Sequence, residues 1–110
     1  MDIDYKSNRL RKSLTNPAEI IKSYGTFAKK INQRMQEMTA AANLSVLKTI
    51  PGANCHVLSG DRSGQFAVNI SGNRRIIFEP NNEPLPSLPD GSTDFDKVTA
   101  VKILSIEDYH

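Results

Sequence analysis

The stretch from His56 to Phe78, HVLSGDRSGQFAVNISGNRRIIF, decides the fold. Within it Phe66, Val68 and Ile70 alternate with Gln65, Ala67 and Asn69, the period of two that gives a strand one apolar face. Gly72-Asn73 is a tight hairpin signal, and Arg74 to Glu79 returns as the next strand. Cys55 to Leu58 is a shorter strand, separated from the first by a turn at Gly60 to Gly64. Neighbouring strands joined by short turns predict an antiparallel meander.

Working upstream, the period changes to one near 3.6. Ile20, Tyr24, Phe27, Ile31, Met35, Met38 and Ala42 step by three or four residues through Gly25, which predicts one long helix to about Ala42, bent at the glycine. Asn16-Pro17-Ala18-Glu19 supplies an N-cap, a proline in the first helical position and a carboxylate that reaches back to the cap. The opposite face carries Lys22, Lys29, Lys30 and Arg34, for which a solvated surface is the default reading. A short helix at Asn8 to Leu14, a strand at Met1 to Ser7 and one helical turn after Leu44, stopped by Pro51-Gly52, complete this half.

Downstream, Pro80 to Lys97 holds four of the six prolines and is expected to be an ordered loop or a flap within a single domain spanning residues 1–110. Val98 to Ile106 is the last strand, placed inside the sheet by apolar residues on both faces. Its continuation, Glu107-Asp108-Tyr109-His110, lies immediately beyond.

The formal charge of +2 conceals a division. Residues 1–75 hold 12 Lys/Arg against 5 Asp/Glu, and residues 76–110 hold 2 against 7, so a +7 body precedes a −5 segment. Such a body suits an anionic partner. Cys55 is the only cysteine, which excludes an internal disulfide framework and a cysteine zinc site and favours a reducing cytoplasm. No apolar signal core opens the chain, and no run approaches the ~18 apolar residues of a membrane span.

Two histidines, His56 and His110, are the candidates for acid–base work without a metal, since an unperturbed imidazole titrates near pH ~6.5. Structural histidines are commoner, but the neighbours raise the interest. Arg62 lies in the turn after the His56 strand, Arg74 and Arg75 follow the hairpin, and Asp108 and Tyr109 precede His110. If strand ends gather these groups, guanidiniums would face imidazoles, a phenol and a carboxylate, a set suited to cutting an RNA phosphodiester. Phosphate-loop, dinucleotide-fingerprint and HExxH motifs are absent, so no cofactor or metal is expected. Cys55 and His56, adjacent on a strand, point to opposite faces and make no nucleophile–base pair.

Three ordered motifs, His56-Val57-Leu58-Ser59-Gly60-Asp61-Arg62-Ser63-Gly64, then Phe66 through Phe78, and the final Asp108-Tyr109-His110, make the chain resemble the HigB toxins of the RelE/ParE superfamily of toxin–antitoxin modules. The resemblance implies an α+β, RelE-like fold with an N-terminal strand and two helices packed on an antiparallel β-sheet. It implies a ribosome-dependent endoribonuclease that cuts mRNA, held in check by a helix-turn-helix antitoxin of the HigA type that also links the pair to operator DNA. His56, Arg75, Asp108, Tyr109 and His110 match catalytic positions, and Arg62 a basic position of the Gly-Asp-Arg turn. Arg74, Lys29, Lys30 and Arg34 are further candidates for RNA or phosphate contact. Many relatives carry a lysine where Ser59 stands, so Arg74 is the candidate to supply that cation, and the acidic loop is long enough to cover a basic groove or meet the antitoxin. The alternative is a non-catalytic toxin of this fold that binds the ribosome or DNA gyrase.

Overall fold

A computed structural model describes residues 1–108. The chain runs β1 (Asp2–Tyr5), α1 (Asn8–Leu14), α2 (Pro17–Tyr24), α3 (Ala28–Ala40), α4 (Leu44–Leu47), β2 (His56–Val57), β3 (Phe66–Ser71), β4 (Arg74–Pro80) and β5 (Ala100–Asp108). The five strands form one open sheet in the order β1-β5-β4-β3-β2. From β2 to β5 it is the expected antiparallel meander, but β1 lies parallel to β5, with Asp2 opposite Ala100 and Tyr5 opposite Ile103. The sheet is therefore mixed, because the helices carry the chain across it between β1 and β2. β5 sits inside the sheet between β1 and β4, as its two apolar faces predict.

The helices start where side chains can satisfy their orphan amides. Ser7 Oγ accepts the Leu10 amide at 3.1 Å and Asn16 Oδ1 accepts that of Glu19 at 2.9 Å, with Pro17 in the first helical position. The long helix expected from Pro17 to Ala42 is broken in two. Gly25 adopts φ +56, a left-handed conformation that suits glycine, and a 3-10 turn at Gly25–Phe27 separates α2 from α3. The apolar stripe keeps phase through this break, since Ile20, Ile31, Met35 and Met38 are all buried. Only its end slips: α3 stops at Ala40, and Ala41, not Ala42, enters the core.

One face of the sheet buries Phe66, Val68, Ile70, Ile76, Phe78, Val101 and Ile103 against those helices. Each such side chain contributes roughly 1.5–3 kcal/mol on burial. Arg34, expected on the exposed cationic face of the helix, is a correction: it is 3% exposed. Its guanidinium donates to the Asn69 carbonyl at 2.6 Å and the Gly52 carbonyl at 2.7 Å, and pairs with Glu37 at 2.9 Å. It ties α3 to β3 and to the turn before β2, which removes it from any surface for RNA.

The segment between β4 and β5 is ordered by its own polar groups. Asn82 Oδ1 accepts the amides of Thr99 and Ala100, and Asp90 accepts both the amide and hydroxyl of Ser92. Phe95 meets Phe66 edge-on, with Lys48 over its ring, and the Ser45 hydroxyl donates to Asp96. These anchors lie near α4 and the start of β5, at the opposite end of that strand from Asp108. Among the described residues no helix is long and apolar enough to cross a membrane.

Candidate active site

Residues directly opposite in an antiparallel pair project to the same side of the sheet. Through the register, His56 stands beside Ala67, Ala67 beside Ile77 and Ile77 beside Ser105, while Asn69, Arg75 and Glu107 form the next row. These residues occupy the face turned away from the core, so His56 and Arg75 share a surface. One strand lies between them: His56 is on the edge strand β2 and Arg75 on β4, on the order of 10 Å apart at ordinary strand spacing, and β5 with Glu107 is one strand further.

Local backbone holds the imidazole. Asn54 takes φ +45, a turn conformation that asparagine tolerates, and its carbonyl lies 2.7 Å from His56 Nδ1. A carbonyl only accepts, so Nδ1 is the donor in this bond, and in the neutral tautomer it is Nε2 that carries the lone pair. The ring is half-buried on its edge strand.

Arg62 comes from the 3-10 turn Gly60–Arg62 and crosses to β5, where its two terminal nitrogens grip Glu107 at 2.8 and 3.0 Å. The Ser105 hydroxyl donates to the same carboxylate at 2.6 Å. Burial raises the Glu107 pKa, but the bonds from Arg62 and Ser105 and the charges of Arg62 and Arg75 outweigh it and hold the group below its ordinary value. A hollow of about 270 Å³ opens here, lined by Lys6, Arg62, Gln65, Ile77, Leu104, Ser105 and Glu107. Ile77 is buried yet outside the main core, so the hollow has an apolar floor and a charged rim.

The two arginines after the hairpin diverge because they are adjacent on a strand. Arg75 lies on the His56 side, opposite Glu107, whereas Arg74 lies on the helix side, 4.2 Å above the Phe27 ring and 3.9 Å from Asp108. Arg74 is therefore not the replacement for a lysine at Ser59. Lys6, on the rim of the hollow, is the added cation there. Lys29 and Lys30 line a separate hollow with Phe27 and Ser71, so the expected cations are divided between two sides of the molecule and one interior position. Tyr109 and His110 lie outside the described residues.

Lys6, Gln65 and Glu107 were not singled out in the sequence. Only the register, which sets Glu107 against Arg75 and within reach of a turn 45 residues earlier, reveals them. Cys55 is a core thiol as expected: burial pushes it up to about 12, with Lys48 opposing, so it is no thiolate nucleophile. Among the described residues no cluster of His, Cys, Asp and Glu could hold a metal ion.

No protein-family model matches the chain, and no curated protein matches it. Among solved structures it is similar to a YoeB/ParE toxin from Agrobacterium tumefaciens, with 11% sequence identity, a TM-score of 0.59 and complete coverage of both chains. At that identity the likeness is one of fold, and the α+β architecture with helices on one face of an open sheet is that of this toxin.

Proposed function

We propose that the chain is the toxin of a toxin–antitoxin pair, of the HigB type, and that it cleaves mRNA on the translating ribosome in the cytoplasm without a metal. The observation that carries this reading is the shared sheet face that presents His56, with its proton assigned to Nδ1, together with Arg75 and the Arg62–Glu107 pair.

On this face His56 Nε2 takes the proton of an RNA 2′-hydroxyl. The 2′-oxygen bonds to phosphorus and the bond to the 5′-oxygen breaks, leaving a 2′,3′-cyclic phosphate and a 5′-hydroxyl. Arg75 and Arg62 offset the charge that gathers on the phosphoryl oxygens. His110 is the acid that returns a proton to the leaving oxygen, Tyr109 stacks on or orients a base, and Asp108 positions its neighbours, with Arg74 at 3.9 Å beside it. The inhibitor is a helix-turn-helix antitoxin of the HigA type, through which the pair reaches operator DNA.

A second reading rests on the helix side. Lys29, Lys30 and Arg74 gather around Phe27, away from His56, and such a patch suits a non-catalytic grip on the ribosome or on DNA gyrase. Controlled expression separates the two. Growth arrest with new mRNA 5′ ends, abolished by His56→Ala, supports cleavage. Arrest without new ends that survives His56→Ala but is lost on charge reversal at Lys29 and Lys30 supports binding.

A further inference from the structure

Among the described residues that line this hollow, Glu107 is the one carboxylate, and it is set among cations. Arg62 holds it with both terminal nitrogens at 2.8 and 3.0 Å, Arg75 stands opposite it in the sheet, and Lys6 lines the same hollow. The two oxygens of a carboxylate and two non-bridging oxygens of a phosphodiester present the same fork to a guanidinium. The Arg62 and Glu107 side chains are 40% and 31% exposed, so an anion arriving from solvent reaches both. The Ser105 hydroxyl, 2.6 Å from Glu107 Oε2, gives the carboxylate a second donor that it can keep when Arg62 turns away.

We propose that this hollow is a phosphodiester site in which Glu107 occupies, in the free protein, the place that a phosphate takes on binding. The identity of the phosphate as RNA rests on the ribonuclease reading above, but the exchange itself does not. Without Glu107, Arg62 and Lys6 beside Arg75 would leave the hollow strongly positive and open to any polyanion. Glu107 offsets part of that charge, and a ligand reaches the Arg62 fork only by displacing it. A polynucleotide with several contacts can do so, whereas an isolated anion competes poorly. Glu107 thereby sets the selectivity of the cationic surface.

The test is the binding of a fluorescent 12-nucleotide single-stranded DNA, read by anisotropy over a salt series, for wild type, Glu107→Gln, Arg62→Gln and the double variant. The expected result is about tenfold tighter binding for Glu107→Gln with an essentially unchanged log–log salt slope, because once Glu107 is displaced both proteins make the same phosphate contacts. The gain should vanish in the Arg62→Gln background, and Asp61→Asn, which removes a charge on the neighbouring exposed turn, should not reproduce it. Weaker or unchanged binding by Glu107→Gln, or a gain that persists without Arg62, overturns the proposal. Should the variant not fold, NMR of the wild type titrated with the same DNA decides: joint shifts of the Arg62 Nε–H and Glu107 carboxylate signals support exchange, and an unmoved carboxylate refutes it. DNA has no 2′-hydroxyl, so a wild type that fails to cut RNA would defeat the ribonuclease reading and leave this result intact.

Discussion

Replacing Arg34 with methionine should remove a large share of the stability of the fold. The guanidinium is 3% exposed and makes three contacts, to two main-chain carbonyls at 2.6 and 2.7 Å and to Glu37 at 2.9 Å. Hydrogen bonds to a charged group are worth about 1.5–3 kcal/mol each, and removing one partner of a buried pair costs about 3–5 kcal/mol. Methionine recovers part of this through apolar packing, so the net loss should be about 3 kcal/mol, out of a typical total of about 5–15. In urea denaturation this appears as a lower midpoint at unchanged slope, and in thermal melting as a fall of roughly 10–20 °C. Arg34→Lys should fall between, since an ammonium lacks the planar fork that reaches three acceptors. Lys29→Gln and Lys30→Gln should change stability by no more than about 0.5 kcal/mol. An Arg34→Met protein within about 1 kcal/mol of wild type would refute the view that this arginine fastens α3 to the sheet.

Gly52→Ala should destabilise by roughly 1–2 kcal/mol in the same urea assay, because φ is +82 there and a new Cβ would sit 3.3 Å from the Arg34 guanidinium. Cys55 should react with a disulfide reagent at pH ~8 only after denaturant is added, as a buried thiol raised to about 12 offers almost no thiolate in the native state. Acid should act partly through Glu107. Its folded pKa lies below the unfolded value, so its contribution is present above the unfolded value of 4.5 and is lost as pH falls through the folded one. The stability gap between wild type and Glu107→Gln, measured by urea titration at several pH values, should therefore narrow on acidification, and a constant gap would contradict the pairing with Arg62.

Local periodicity made most elements legible. The alternation at Phe66 to Ile70 and the Gly72-Asn73 turn specified the meander, and the cap at Asn16 with Pro17 placed the start of α2. What failed were features set at long range or by one backbone angle. Gly25 kept the stripe in phase while ending a helix, which a 3.6-residue period cannot distinguish from a bend. Arg34 read as solvated because its partners, Gly52 and Asn69, are 18 and 35 residues away and accept through main-chain oxygens that carry no sequence signature. The parallel placement of β1 depends on a crossover that composition does not record.

The same distinction governs the site. His56, Arg62 and Arg75 were visible as residue types, and the register sets His56 and Arg75 on one face. The adjacency of Arg74 and Arg75 suggested joint action, yet strand alternation sends them to opposite sides. Glu107 was hidden in the run before Asp108, because its meaning comes from Arg62 across the sheet.

The account is tested most directly by the products of RNA cleavage on purified translating ribosomes, with chelator present, for wild type and His56→Ala. It predicts cuts bearing 5′-hydroxyl and 2′,3′-cyclic phosphate ends from the wild type, slowed at least about 100-fold in the variant while its melting temperature is unchanged. Intact mRNA with the folded wild type, or equal cutting by both proteins, would contradict it.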